Sequence, residues 1–248
     1  MWDGLAAALA LPGFAGLLAC GAAAGLVYGF AGFGAALIFI PVAAALTDPG
    51  VALASFAVMA SGSVVTILPR VWPVADRAAT GFMILAATLT MPLGVALLTR
   101  LPEAPLRWAI CGIVAATLAA VMAGWRITLS DRALPRLGLG ATAGLMGGAT
   151  GLLGPVVILV TLAGGAAAAR MRANMALFLT TVTLLILPTL WWQGVLTLPV
   201  FWIGLILLPV YAGATLVGQA LFRPGAERVY RGLAYAVVAG AVVLGLPV

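Results

Sequence analysis

The chain has 248 residues, of which 65% are hydrophobic and 7% are charged, and its mean hydropathy is +1.24. Values this far from those of soluble globular proteins predict an integral membrane protein, in which only helices satisfy the backbone polar groups. The net charge of +6 comes from arginines that form no basic run, so we attribute it to membrane topology and expect no nucleic acid partner.

The chain has few side chains that could bind a metal or cofactor or act in catalysis. Histidine is absent, and both cysteines, Cys20 and Cys111, lie inside apolar segments, which is typical of packing residues. No nucleophile, base and metal-ligand cluster can be assembled, so we expect no enzyme, no metal and no cofactor. The lipid bilayer is the partner that the composition implies, and a homo-oligomer stays open.

Glycine dominates the end of the first long apolar segment, in the stretch GLVYGFAGFGAALIFIP at residues 25–41. The spacing of Gly25, Gly29 and Gly32 is typical of helix faces that let two backbones pack closely. The sequence Gly32-Phe33-Gly34 predicts a break, followed by a short helix over residues 34–47. A helix of about 14 residues spans about 21 Å, which is less than the ~30 Å hydrocarbon core.

A second glycine motif, GLMGGATGLLGPVVILV, occupies residues 144–160. Here Leu152-Leu153-Gly154-Pro155 predicts the break, because proline is favoured in the first turn of a helix, where an amide has no intrahelical partner. The short helix after this break is predicted over residues 154–168.

The two motifs belong to an internal repeat, because the chain matches itself without gaps at an offset of 119 residues. Five glycine-motif positions coincide, and so do the ILPxxW sequences that begin at residues 67 and 186. In the same register Gly94 matches Gly213. We therefore predict one membrane domain over residues 1–248, made of two homologous halves at about 5–125 and 126–248.

The arginines indicate how the two halves are oriented. If both short segments pass through the membrane, only Arg100 and Arg107 lie opposite the other ten arginines, as the positive-inside rule requires. If the segments are re-entrant, the arginines divide five against seven. We predict ten crossings in two inverted five-helix repeats with both termini periplasmic, and whether the short helices cross fully stays open. The predicted helices are 5–28, 34–47, 50–69, 78–99, 106–125, 134–150, 154–168, 173–192, 198–220 and 230–247.

Inverted repeats are typical of alternating-access transporters, which bind substrate where interrupted segments of both halves meet. Helix starts at the breaks carry unpaired amides and a partial positive charge, so they favour a small anion. No Asp, Glu, Lys or His lies inside a predicted helix, which leaves neutral groups to hold it. The predicted substrate-binding residues are Gly32, Phe33, Gly34, Ala35, Ser55, Leu153, Gly154, Pro155, Asn174 and Thr181.

The polar members of this set come from the third helix of each half. The wider candidates are Ser55, Ser61, Ser63 and Thr66 in the first half, and Asn174, Thr180, Thr181 and Thr183 in the second. Ser55 matches Asn174 at the repeat offset. The alternatives are that the hydroxyls bond to their own helices, that Asn174 joins two helices, and that the glycines serve packing alone.

Both glycine motifs, the VALASF stretch after the first and RANMALFLTTVTLLILPTLWWQGVLT after the second resemble the TauE/SafE family of sulfite and sulfonate exporters. The resemblance implies a bacterial inner-membrane carrier for sulfur-containing anions such as sulfite, thiosulfate or sulfoacetate, or for related organic acids. It also places Ser55 and Asn174 where the family commonly has a threonine. The chain differs from the family's usual glycine runs at Ala35-Ala36 and Leu152-Leu153.

We therefore predict a secondary transporter of small sulfur-containing or organic anions. A non-transporting membrane scaffold or assembly protein, whose glycines serve only packing, is the alternative, and an anion channel is another. The exact anion, the direction of transport and the coupling ion stay open.

Overall fold

A computed structural model describes residues 13–125, 133–155, 157, 166–221 and 227–246. Every regular element within these ranges is a helix, which confirms the all-α fold. The helices are α1 (Phe14–Ala31), α2 (Ala35–Leu46), α3 (Pro49–Ala60), α4 (Ser63–Thr66), α5 (Leu68–Val71), α6 (Arg77–Arg100), α7 (Glu103–Met122), α8 (Ala133–Thr150), α9 (Ala166–Trp192), α10 (Leu198–Leu221) and α11 (Glu227–Gly245).

The described helices are those of a multi-pass membrane protein. Six spans are long and apolar enough to cross a bilayer, namely Phe14–Ala31, Pro49–Thr66, Arg77–Arg100, Glu103–Met122, Arg170–Trp192 and Leu198–Leu221. Two shorter apolar helices, Ala35–Leu46 and Gly232–Gly245, accompany them. The helix predicted over 154–168 lies outside the described residues, except for Gly154, Pro155 and Val157, which are helical.

The first break lies at the predicted glycines. Helix α1 ends at Ala31, three residues later than expected, and the amide of Gly32 donates to the Tyr28 carbonyl at 2.8 Å. Gly32 and Gly34 have φ of +76° and +95°, a left-handed conformation that glycine adopts without a steric penalty. The chain therefore turns within three residues, and α2 begins at Ala35.

Helix α2 is short and mostly buried within the protein. It has 12 residues, about 18 Å, and residues 37–41 are all buried. The Leu46 side chain lies beside Gly13 and Gly16. The C-terminal end of α2 therefore lies next to the N-terminal end of α1, and α2 does not fold back on itself. Arg107 holds this end by donating to the Thr47 carbonyl at 2.8 Å, as a cation at a helix C-terminus does favourably.

The third predicted helix, 50–69, is interrupted in the structure. Asp48 starts α3 by accepting a hydrogen bond from the Val51 amide at 2.9 Å. The helix ends at Ala60, where the Ser61 hydroxyl donates to the Val58 carbonyl at 2.6 Å and competes with the backbone. Pro69, which has no amide hydrogen, follows the second interruption at Ile67. Helix α9, which corresponds to this third predicted helix at the repeat offset, continues unbroken from Ala166 to Trp192.

The motif glycines bring two pairs of helices into backbone contact. Where α1 crosses α10, a Cβ on Gly25 would lie 2.5 Å from the Tyr211 carbonyl oxygen, and one on Gly29 would overlap the Thr215 carbonyl. Where α8 crosses α6, a Cβ on Gly148 would lie 2.5 Å from the Met91 carbonyl oxygen. Only glycine permits this approach, as in small-residue contacts between membrane helices.

These two crossings also show which parts of the sequence pack together. The first helix of one half (α1) meets the fourth of the other (α10), and α8 meets α6 in the same way. Gly29 touches Gly218, while Gly148 touches Gly94. The first helices keep the offset of 119 residues, but the fourth helices match at 124. The sequence match of Gly94 with Gly213 is therefore wrong in register, because the counterpart of Gly94 in these contacts is Gly218.

Candidate functional site

The two helix breaks meet at a central cavity of about 40 Å³. One water needs about 10–15 Å³ by this kind of measure, so the space suits a few waters or one small ion. Its lining comprises Tyr28, Gly34, Ala35, Ala36, Leu37, Phe56, Ala60, Ser63, Gly151, Leu153, Gly154, Leu179, Thr180, Thr183 and Tyr211. The lining contains no charged side chain among these residues.

The first turn of α2 forms one wall of the central cavity. Gly34 is the residue before the helix, and no side chain caps it. The first intrahelical bond runs from the Ile38 amide to the Gly34 carbonyl at 3.2 Å, so residues 35–37 have amides without an intrahelical partner. These three residues line the cavity. Unpaired amides and the positive end of the helix dipole favour an anion here.

The second break faces the first across the cavity. Helix α8 ends at Thr150, Gly151 has φ of +77°, and the chain becomes helical again at Gly154. The Leu152 amide donates to the Thr150 hydroxyl at 3.3 Å, which steadies the turn. Leu153 folds back over Gly147, whose missing side chain makes room for it. Leu153 and Gly154 line the cavity, and Pro155 is buried in the first turn.

Five hydroxyl groups line the remaining walls, contributed by Tyr28, Ser63, Thr180, Thr183 and Tyr211. The rings of Tyr28 and Tyr211 stack with centroids 6.2 Å apart. The Ser63 hydroxyl lies 3.5 Å from that of Tyr211. The Thr180 hydroxyl faces that of Tyr28, yet within the described part of the chain it makes no hydrogen bond of normal geometry.

A larger vestibule of about 390 Å³ adjoins the cavity on one side, and Tyr28 lines both spaces. The vestibule walls carry two exposed cations, Arg70 and Arg172. Gly32 also lies on its surface, and a Cβ there would meet nothing within 4 Å. Tyr28 therefore separates the central cavity from a cationic, water-accessible space.

The equivalent region on the opposite side of the cavity is filled. The repeat counterpart of Gly32 is Gly151, where a Cβ would lie 2.8 Å from Ile40 and 3.2 Å from Leu53. At the repeat offset, exposed Arg172 corresponds to Leu53 (3% exposed), and half-buried Val71 corresponds to Leu190 (0%). At these described positions, the first break borders an open vestibule and the second borders packed side chains.

Six of the ten predicted binding residues line one of three spaces in the structure. Gly34, Ala35, Leu153 and Gly154 line the central cavity. Gly32 lies on the vestibule. Phe33 lines a separate apolar cavity of about 20 Å³, together with residues of α7 and α11.

Of the other predicted residues, Ser55 and Asn174 form hydrogen bonds elsewhere, and Thr181 and Pro155 are not among the cavity-lining residues. The Ser55 hydroxyl donates to the Val51 carbonyl of its own helix at 2.7 Å. Asn174 accepts a hydrogen bond from the Asp76 amide at 2.7 Å, at the start of α6. Thr181 is half-buried, and it is Thr180 and Thr183, three residues apart on α9, that line the cavity.

Tyr28 and Tyr211 are the site residues that sequence reasoning missed. The chain has four tyrosines, and Tyr28 lies inside the first glycine motif, where a phenolic hydroxyl needs a polar partner in an apolar surrounding. Tyr211 lies in the middle of α10, far from either end, where an interfacial role does not apply. Each tyrosine therefore could have been recognised as a candidate from its position inside an apolar helix.

Comparison with known proteins identifies one family. The sequence profile described as Sulfite exporter TauE/SafE matches residues 17–244 of the chain, a range that includes both glycine motifs. No curated protein matches the chain significantly, and no solved structure does.

Proposed function

Because the chain belongs to the Sulfite exporter TauE/SafE family, we propose that it is a secondary transporter of small sulfur-containing or organic anions. The observation that carries the proposal is the convergence of both helix breaks on one uncharged cavity with a vestibule on one side. Transporters built from inverted repeats bind their substrate at such interrupted helices.

The proposed binding step uses the first turn of α2. The amides of residues 35–37, which have no intrahelical partner, lie at the positive end of the helix dipole, and they border a cavity without an acidic side chain among its lining residues. Gly34 and Gly154 mark where the two short segments begin, so the substrate would lie between the halves. A movement of one half relative to the other then changes the access to it.

The proposed mechanism is alternating access between inverted repeats. The crossed packing of α1 with α10 and of α8 with α6 supports a pseudo-twofold relation between the halves. Under that relation, the open surface at Gly32 and the filled surface at Gly151 would exchange in the second conformation. The structure would represent the state open on the side of Arg70 and Arg172, with Tyr28 as the thinner barrier.

The arginines supply the proposed orientation in the membrane. Arg70 and Arg172 share the vestibule, and the positive-inside rule assigns that side to the cytoplasm of a bacterial inner membrane. Both termini would then be periplasmic. Two guanidinium groups at the mouth also raise the local concentration of anions, which suits a carrier that loads there.

The test is exchange of labelled sulfite by the purified protein in proteoliposomes, with unlabelled sulfite, sulfonates and sulfate inside as counter-anions. We expect saturable uptake that an internal substrate accelerates, since carriers show counterflow and open pores do not. Gly34→Leu should abolish exchange, because leucine disfavours φ of +95° and its side chain would enter the cavity.

The matched control is Gly112→Leu on α7, an exposed glycine around which a Cβ would meet nothing within 4 Å. It should insert and exchange sulfite like the wild type. Uptake without counterflow would indicate a channel. Full exchange by folded Gly34→Leu would refute the helix-break site, and no exchange of any tested anion by the wild type would favour a scaffold.

A further inference from the structure

The hydroxyl groups of the cavity carry an inference that rests on the proposed transport function. We propose that Tyr28, Ser63, Thr180 and Tyr211, here called the hydroxyl cluster, determine specificity by binding an inorganic oxyanion and leaving no room for an organic substituent. The four residues of the cluster lie on four different helices, α1, α4, α9 and α10.

Thr180 is the first observation, because its hydroxyl differs from those of three other buried threonines. Thr66, Thr117 and Thr215 each donate to the carbonyl four residues earlier, at 3.2, 2.6 and 2.8 Å. Thr180 is 4% exposed, and among the described residues its oxygen finds no partner of normal geometry. Buried polar groups normally have partners, so a buried hydroxyl that faces Tyr28 across a cavity without a hydrogen bond of normal geometry indicates a ligand.

The arrangement of the other hydroxyls points to the same space. Ser63 lies 3.5 Å from the hydroxyl of Tyr211, and Tyr28 lies within reach of both Ser63 and Thr180. Each hydroxyl has one hydrogen to donate. Together with the amides of residues 35–37, the hydroxyl cluster offers up to seven donors around one small volume. An oxyanion with three or four oxygens can accept all of them.

The absence of charge among the lining residues fits a transported ligand. A guanidinium or ammonium group in an apolar surrounding would hold an anion tightly and slow its release. Neutral donors bind more weakly, and transport needs binding that favours entry but permits exit. The absence of a carboxylate in the lining also disfavours a cation, since no anionic group offsets the cost of removing its water.

The volume of the cavity limits the size of the anion that it can bind. A space of about 40 Å³ corresponds to roughly three or four water positions at about 10–15 Å³ each. Phe56 and Leu179 close the apolar part of the wall, and the Tyr28–Tyr211 stack closes another. An anion of four or five heavy atoms fits this volume. Sulfoacetate, which adds a methylene group and a carboxylate to the SO3 group, would need the walls to move.

The experiment measures exchange of labelled sulfite in proteoliposomes for wild type, Thr180→Val and Thr180→Ser. Valine keeps the shape of threonine and removes the hydroxyl, while serine keeps the hydroxyl. A hydrogen bond to a charged group is worth a factor of about 10 to 100 in affinity. We expect Thr180→Val to raise the KM for sulfite by about that factor, and Thr180→Ser to stay within about three-fold of wild type.

Two controls accompany the variants. Thr142→Val changes an exposed threonine on α8 that bonds to its own helix, so its KM should equal that of wild type. Sulfoacetate as the internal counter-anion tests size on unaltered protein, and we expect it to accelerate uptake less than about one-tenth as well as sulfite does. If Thr180→Val does not fold, Tyr28→Phe takes its place.

The outcomes separate this inference from the proposed function. An unchanged KM in folded Thr180→Val, or sulfoacetate exchange as fast as sulfite exchange, would overturn the role of the hydroxyl cluster while transport itself stands. No sulfite exchange by wild type would instead overturn the proposed function on which the inference rests. A higher KM in Thr180→Val, rescue by Thr180→Ser and rejection of sulfoacetate would support it.

Discussion

Replacing Gly29 with alanine tests the backbone contact between α1 and α10. The added Cβ would lie 2.9 Å from the Gln219 nitrogen and from the Gly218 Cα, and nearer still to the Thr215 carbonyl oxygen. Because these atoms belong to a helix backbone, no side-chain rotation relieves the overlap. Helices α1 and α10 must separate along the whole contact, and a gap of only 0.5–1 Å forfeits about a quarter to a half of the dispersion energy there.

The expected cost of Gly29→Ala is about 1–3 kcal/mol, the range for overpacking a tight core. Gly148→Ala should cost a similar amount, since its Cβ would lie 2.5 Å from the Met91 carbonyl oxygen and 2.9 Å from the Val95 amide. The matched control is Gly112→Ala on α7, where a Cβ meets nothing within 4 Å. It should be neutral or stabilising by up to about 1 kcal/mol, because alanine restricts the unfolded chain.

The assay is thermal unfolding of the purified variants in one detergent, with wild type measured alongside. Combining Gly29→Ala with Gly218→Ala should give less than the sum of the single losses, because both alter the same crossing. Combining Gly29→Ala with Gly148→Ala should be additive, since the crossings are separate. If Gly29→Ala were as stable as Gly112→Ala, the α1–α10 backbone contact would be refuted.

Further predictions concern the vestibule and one bond between helices. Arg70→Gln and Arg172→Gln should each raise the KM for sulfite about two-fold at low salt, which is the effect of a unit charge ~10 Å away in water. At ~0.5 M salt the increase in KM should be much smaller, because salt screens the charge. An increase that does not depend on salt in exchange assays would contradict charge attraction. Asn174→Ala should lower the free energy of unfolding by about 0.5–1.5 kcal/mol, since it removes the acceptor of the Asp76 amide. Thermal unfolding beside Thr142→Val checks it, and unchanged stability would mean that water replaces the bond.

Local signals in the sequence were enough to locate most elements. Nine of the ten predicted helices correspond to described segments, because long apolar runs and their caps act over a few residues; Asp48, for example, is followed by proline and caps α3. The break at Gly32–Gly34 was also predictable, since two glycines so close together in an apolar run favour left-handed turns. The interruption at Ser61 was missed, because serine also occurs inside membrane helices.

The binding-site predictions show the same difference between local signals and tertiary packing. Gly34, Ala35, Leu153 and Gly154 were predicted from breaks in the chain, and the structure brings them together at one cavity. The predicted polar residues Ser55, Asn174 and Thr181 are not among those that line it. Neighbouring threonines 180 and 181 look alike in sequence, and only the rotation of α9 against α1 decides which one faces the cavity.

Composition alone determined that the chain is a helical membrane protein, and the repeated motifs predicted two related halves, because hydropathy and motifs are properties of the chain itself. Tertiary structure decided what lies between the halves. The pairing of α1 with α10, the register of Gly218 against Gly29 and the meeting of Tyr28 with Tyr211 depend on contacts between residues more than 180 positions apart. Such contacts follow from how closely two backbones pack in three dimensions, which no local pattern specifies.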